Sequence, residues 1–376
     1  MTAGLDEKKK KLAIAAPLKQ WGGIERKVMS LCREFIARGV DVQLLLLKGG
    51  VVPYPDEFPA EVEVIVLKTR GKISSIFKLA CQLRRDPPDA LLTAKDHSAK
   101  TALVGRALSR VKVPVYVKIT NTLSQTLRRR IKRVTARWLY RRADRLFCVS
   151  NGVADDLREN FNVPPERICA IYNPTVTPDI AERRQLPVNH PWLQGEGPPV
   201  IMGVGRLTKQ KDFYTLIDAF ALVRAKRPAR LLILGEGTLH DSLEGHARCR
   251  GVGEYVDLPG YVWDPIPWLA RTDLFVLSSR YEGLANVVIE ALAAGAPVVS
   301  TDCPSGPAEI LDNGRIGPLV PIGDPEAMAE AMERMLDEPP SQELLSEGLE
   351  RFRSGVVAEA YLREMGLLFK QEDIGE

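Results

Sequence analysis

Short apolar runs recur along the chain and alternate with segments whose apolar positions repeat at helical spacing. In the first half the runs are KLAIAAP (11–17), DVQLLLL (41–47), EVEVIVL (61–67), DALLTA (89–94), VPVYVKIT (113–120), RLFCVS (145–150) and ICAIYN (168–173). After the first run, GIERKVMSLCREFIARG places Ile24, Val28, Leu31, Cys32 and Ile36 at helical spacing. Runs buried on both faces and separated by helices predict a parallel, doubly wound sheet. Residues 174–198 are rich in Pro and polar side chains and lack periodicity, which predicts a linker. The alternation restarts with VIMGVG (200–205), RLLILG (230–235), YVDLPG (255–260), DLFVLS (273–278), PVVST (297–301) and GPLVP (317–321). Past Glu343 the pattern is helical, with an apolar stripe over 356–370. The expectation is an α/β chain of two tandem Rossmann-like domains, 1–173 and 199–352, followed by a helical segment, 353–376. Ligands of such sheets bind beyond the carboxyl ends of the strands, so a cleft between facing domains is expected.

Composition narrows the class. The 376 residues are 45% hydrophobic and 27% charged, the balance of a folded globular chain. No stretch approaches the ~18 to 20 apolar residues of a membrane-spanning helix. The opening MTAGLDEKKKKLAIAAP has charges before a short apolar run but no convincing cleavage region, so a cytoplasmic protein is expected. The six cysteines are scattered singly, the four histidines lie far apart, and the chain has no Asp-x-Asp. Reduced thiols are therefore expected, and neither a metal nor another cofactor. Charge is divided unevenly. Residues 1–170 hold 33 basic and 17 acidic residues, a net +16, whereas the remaining 19 basic and 31 acidic residues give −12. The basic half should favour an anionic partner.

Three constellations carry candidate chemistry. Gly22-Gly23-Ile24-Glu25 opens a helix after the first strand, where bare backbone N–H groups can meet an anion, although a glycine pair also simply makes turns. Arg206 and Lys211, past the strand ending at Gly205, stand before a helix that begins near Asp212; they form a diphosphate clamp or two solvated loop charges. In SSRYEGLANVVIEALAAGAPVVS, Glu282 follows a strand and Glu290 sits in the next helix among Val287, Val288, Ile289, Ala291 and Leu292. A carboxylate so placed needs a hydrogen-bond partner such as a ribose, unless it is a capping or surface glutamate. Ser305-Gly306-Pro307-Ala308-Glu309 opens a further helix as a possible anion-facing turn. Gly203-Val204-Gly205 and Gly235-Glu236-Gly237 are incomplete dinucleotide fingerprints, which disfavours a dehydrogenase.

In order along the chain stand Gly-Gly-x-Glu, Gly205-Arg206 with Lys211, LGEG (234–237), PGYV (259–262), the Glu282/Glu290 pair, and Gly295-x-Pro297-Val298-Val299. This set, covering about residues 11–370, resembles the retaining glycosyltransferases of family 4, which have the two-domain GT-B fold. The resemblance implies that Arg206 and Lys211 bind the diphosphate of a nucleotide sugar and stabilise it as it leaves, while Gly22 and Gly23 approach it from the other domain. It implies that Glu290 holds the ribose, that Tyr261 and Val262 face the base, and that Glu282 sits by the donor sugar. Gly283, Leu284, Ala285 and Asn286 would contact the sugar's hydroxyls and phosphate, and the terminal helix would cross back onto the N-terminal domain. Many members carry a histidine after the fifth strand; here Asn121 stands there, able to donate a hydrogen bond but not to act as acid or base. His97 is a candidate substitute, or a surface loop histidine.

From Gln125 to Ala143 the chain has eight basic residues and no acidic one, among them Arg128, Arg129, Arg130, Lys132 and Arg133. Leu127, Ile131, Val134 and Trp138 share a helical stripe. Such a helix either meets an anionic membrane or a lipid-linked pyrophosphate, or packs its stripe on the sheet with its charges in water. No nucleic-acid motif accompanies the charge. The function expected is transfer, with retention and without a metal, of a hexose or N-acetylhexosamine from a nucleotide diphosphate. UDP is the first choice of nucleotide. The acceptor would be a lipid-linked sugar or polysaccharide at the inner face of the cytoplasmic membrane. GDP-mannose is the runner-up donor, and a protein that binds, hydrolyses or epimerises nucleotide sugars is the other class.

Overall fold

The computed structural model describes residues 9–16, 23–47, 58–67, 69, 71–95, 98–127 and 130–368. The chain divides into two compact units. Met1–Val149, Val153–Pro174 and Ser354–Glu376 form the first; Ser150–Gly152 and Thr175–Arg353 form the second.

Each of the thirteen apolar runs contains one strand. In the first unit these are β1 (Lys11–Ala16), β2 (Asp41–Leu46), β3 (Glu63–Val66), β4 (Ala90–Thr93), β5 (Val115–Ile119), β6 (Arg145–Cys148) and β7 (Ile168–Ala170). They pair in the order β3-β2-β1-β4-β5-β6-β7, every pair parallel. The second unit holds β8 (Val200–Val204), β9 (Arg230–Leu234), β10 (Val256–Gly260), β11 (Leu274–Leu277), β12 (Val298–Thr301) and β13 (Leu319–Val320), ordered β10-β9-β8-β11-β12-β13 and again parallel. In both sheets the order reverses beside the first strand, the switch point at which open α/β sheets take ligands.

Among the described residues ten helices have eight residues or more. Those of the first unit are α1 (Gly23–Ala37), α2 (Lys72–Arg85), α3 (Ala99–Ser109), α4 (Arg130–Tyr140) and, from Val153 on, α5 (Asn151–Phe161). The second has α6 (Phe213–Lys226), α7 (His240–Cys249), α8 (Asn286–Ala294) and α9 (Pro325–Asp337), and α10 (Ser354–Met365) follows. Helix α10 counts with the first unit, where it packs on α1. Its Tyr361 is fully buried, with its ring edge-on to Phe35 and Phe147 at 6.3 and 5.1 Å. Arg38 Nη2 donates to the Gly355 carbonyl at 3.1 Å, and Arg145 pairs with Glu364.

The connections β3–α2–β4, β4–α3–β5 and β5–α4–β6 step the same way across the sheet. Right-handed crossovers therefore lay α2, α3 and α4 on the face opposite α1, and α2 packs on α3 and α3 on α4. Helix α4 turns the apolar stripe of the sequence outward: Ile131, Val134 and Trp138 are 75, 60 and 55% exposed, while Ala136, Leu139 and Tyr140 are buried. Two apolar sets share the helix at helical spacing, and the one that continues into the buried Ala143 takes the sheet.

Residues 175–198 pack into the second unit. Val176 bridges Arg353, Ile180–Arg183 make one helical turn, and buried His190 places Nε2 2.9 Å from Asp257 with Trp192 and Trp268 against its ring. Side-chain anchors rather than periodic burial hold this segment, which is why the apolar pattern is silent there.

One buried charge is unusual. Lys118 on β5 is 6% exposed, and its ammonium lies 5.6 Å from the centre of the Tyr361 ring. Burial, with Lys27 nearby, lowers its pKa to about 7. The unfolded chain keeps an ordinary lysine, so between pH 10.5 and 7 it binds a proton that the folded chain does not. Stability therefore falls as pH drops through that window and the loss is complete below 7. Lys118→Met should raise the melting temperature of the full chain at pH 6 and leave it nearly unchanged at pH 10, measured by calorimetry at both.

Candidate active site

The loops after β8, β9 and β10 lie backbone to backbone. Gly205 N–H donates to Leu234 O at 2.9 Å, Leu207 N–H to Glu236 O at 2.8 Å, and Gly235 N–H to Gly260 O at 2.7 Å. This contact explains the LGEG motif. Gly235 has φ 143°, and a Cβ there would lie 1.9 Å from the Gly205 carbonyl oxygen; at Gly237 it would lie 2.3 Å from that of Leu207. Both glycines serve close approach of loop to loop.

On this platform Lys211 comes back over Gly205, its chain in the space that a side chain at Gly205 would occupy. Its Nζ lies 2.6 Å from Glu282 Oε1, which also accepts from Ser279 Oγ at 2.7 Å. The pair is well shielded, with side-chain exposures of 16 and 11%. Three further bonds tie the β8 and β11 loops together: Ser278 Oγ to Lys211 O at 2.7 Å, Gln210 Nε2 to Tyr281 O at 2.9 Å, and Arg280 N to Gln210 O at 2.8 Å. Asp212, in the left-handed region at φ 48°, precedes α6, accepts from Thr215 Oγ1 at 3.0 Å and pairs with Arg280 at 2.9 Å. Arg206 is exposed. A pinned lysine thus stands beside an outward-facing arginine at the carboxyl end of β8, a donor set suited to a diphosphate.

Past Glu282 the chain buries Gly283, Leu284 and Ala285, and Ala285 is left-handed at φ 54° as it starts α8. The Gly306 turn packs against it: a Cβ on Gly306 would lie 2.7 Å from the Leu284 carbonyl carbon. Asn286 accepts from Thr175 Oγ1 at 3.2 Å, and Glu290 lies half-buried one turn on. Near Glu290, Arg183 binds Asp264 through two bonds of 2.8 and 2.7 Å, and Asp264 also caps Ile266 N–H at 3.0 Å. Tyr261 is 53% exposed and Val262 half-buried in the loop after β10.

The structure thus gathers Gly205, Lys211 and Glu282 directly, with Arg206 and the 283–286 turn on the same strand-end loops. Ser279, Asp212, Arg280, Arg183 and Asp264 were not singled out by the sequence, because their roles are long-range pairings with no motif spacing. In the first unit, Gly23 begins α1, and Asn121 is exposed just past β5, donating to Thr120 Oγ1 at 3.3 Å. Gly22, His97, Arg128 and Arg129 lie outside the described residues, and so does the side chain of Arg130. Lys132 is exposed and Arg133 half-buried on α4. Cys32, Cys148 and Cys303 are buried free thiols, and burial raises all three, Cys32 and Cys303 to about 12. Among the described residues no three His, Cys, Asp or Glu side chains converge as a metal site.

Residues 22–174 match the family Glycosyl transferase 4-like domain, and residues 198–338 match Glycosyl transferases group 1. The chain therefore carries two glycosyltransferase domains in tandem on a GT-B fold. It is 38% identical over 170 residues to the lipopolysaccharide core biosynthesis glycosyltransferase LpsE of Rhizobium meliloti, 44% of this chain and 49% of that one. It is 33% identical over 200 residues, 53% of each chain, to an enzyme of Campylobacter jejuni named N-acetylgalactosamine-N,N'-diacetylbacillosaminyl-diphospho-undecaprenol 4-alpha-N-acetylgalactosaminyltransferase. The chain spans about half the length of these curated relatives. In fold it is similar to Anabaena HepE, solved in complex with UDP-glucose, at a TM-score of 0.77 over 95% of this chain and 99% of that one, with 19% identity.

The loop platform should fail if a side chain is forced into it. Gly235→Ala is expected to lower the melting temperature and to abolish any stabilisation by nucleotide. Gly251→Ala, which also has a positive φ but nothing within 4 Å, provides the control for backbone strain alone.

Proposed function

We propose that this chain is a retaining glycosyltransferase that moves a hexose or N-acetylhexosamine from UDP to a lipid-linked or polysaccharide acceptor. The observation that carries the reading is the Lys211–Glu282 pair at 2.6 Å, locked across the β8 and β11 loops beside the exposed Arg206. Relatives named for lipid-diphosphate and lipopolysaccharide substrates support the acceptor class, and the UDP-glucose complex of HepE supports the nucleotide.

In this reading Arg206 and Lys211 take the diphosphate, and the positive N-terminal end of α8, after Ala285, faces its charge. Glu282 fixes the lysine in place and meets the donor sugar, while Glu290 accepts from the ribose. Departure of the nucleoside diphosphate develops negative charge that these fixed groups stabilise, so turnover should persist in EDTA. Retention follows from front-face attack, and a trapped glycosyl adduct on Glu282 would contradict that step.

The melting temperature should rise selectively with UDP over GDP, ADP and NAD, since a ligand at 100 times its dissociation constant adds about 2.7 kcal/mol. A response to GDP alone would move the donor to GDP-mannose. Release of nucleoside diphosphate from a UDP-sugar should require acceptor and should fall about 10²-fold in Arg206→Ala, by loss of one charge-stabilising donor. Release without acceptor would instead identify a hydrolase, and no release by the UDP-responsive protein would identify a binding protein.

A further inference from the structure

We propose that the helix layer α2–α3–α4 is the surface by which the first unit lies on an anionic bilayer. The proposal rests on the lipid-linked acceptor, whose membrane anchorage makes such a surface useful, and deepens it by assigning the face and its anchors. Two observations combine. The three helices carry four, two and four basic residues and no acidic one. On the same layer large apolar side chains face outward: Ile73 and Phe77 on α2 are 72 and 58% exposed, as are Ile131, Val134 and Trp138 on α4 at 75, 60 and 55%.

A domain helix normally turns such residues to the sheet, and isolated exposed ones are common. Here they fall one turn apart, in a pair on α2 and a triple on α4, two helix spacings or about 20 Å from each other. Lys100 on α3 and Lys132 and Arg137 on α4 are exposed among them. Arg142 stacks on Trp138, its guanidinium 3.4 Å from the ring centre, which leaves an amphipathic tip suited to the depth of lipid headgroups. The aliphatic members distinguish this face from a nucleic-acid surface, which would be basic without outward-facing Ile and Val. Ile73, Phe77, Ile131 and Val134 all belong to the first half of their helices. Those ends lie at the carboxyl edge of the strands, so the docked face adjoins the edge at which the sheet takes ligands.

The test is binding of the full chain, without donor or acceptor, to vesicles of phosphatidylcholine with or without phosphatidylglycerol. Binding should require the anionic lipid and weaken with salt. Lys132→Ala with Arg137→Ala should reduce it roughly 25-fold, fivefold per charge near the surface. Ile131→Ser with Val134→Ser should reduce it at unchanged charge, and brominated acyl chains should quench tryptophan fluorescence in the wild type but less in Trp138→Phe. All variants should keep the wild-type melting temperature, since each position is exposed. Equal binding to neutral vesicles, unaltered binding in both double variants, preference for duplex DNA over vesicles, or a dimer that the Ile131/Val134 variant dissociates would each overturn the proposal. Because no sugar is transferred, failure here leaves the transferase reading standing, and failure of that reading leaves vesicle binding measurable.

Discussion

The buried ion pair between Lys211 and Glu282 is the constraint on which the second unit's ligand edge depends. Neither charge is tolerable alone at that depth, because a buried charge without its partner costs several kcal/mol. The two loops that bear them must therefore stay in register, and the surrounding bonds from Ser278, Ser279 and Gln210 do the same by shorter reach. In the function proposed, the diphosphate meets a lysine whose position is already fixed, which spares the entropy of ordering a long side chain on binding.

Below the pair, the platform is made of backbone. Loops from β8, β9 and β10 touch through main-chain hydrogen bonds, and two glycines remove the side chains that would separate them. Ala285, held in the left-handed region beside the Gly306 turn, is the comparable device on the β11 side. Strain at a non-glycine residue persists only where its surroundings over-determine it, and such positions cluster at ligand sites. The first unit adds a basic helix layer on one face, and a terminal helix that packs on α1 with Tyr361 buried beneath it.

Much of this was legible in the sequence because strands buried on both faces have an unmistakable apolar signature. All thirteen runs became strands, and the ordered motifs pointed to the GT-B fold. Lys211 and Glu282 were legible too, since each follows a strand. Their direct contact was not, because 71 positions separate them and only the sheet order brings β8 beside β11. The linker expected over 174–198 shows no periodicity because anchors such as His190 hold its residues from 175 on. On α4 the amphipathic pattern was plain, yet two apolar sets competed for the sheet, and only packing decided which of them faces outward.

The central claim is that Lys211 and Glu282 form one interacting unit that the diphosphate then engages. A double-mutant cycle with Lys211→Met and Glu282→Gln, read as unfolding free energy with and without saturating UDP, tests it most directly. The account predicts a favourable coupling of about 1.5 kcal/mol or more in the free protein and a different coupling with UDP bound, because the phosphate shares the lysine. Independent, additive losses in the free protein, or a coupling that UDP leaves untouched, would contradict it.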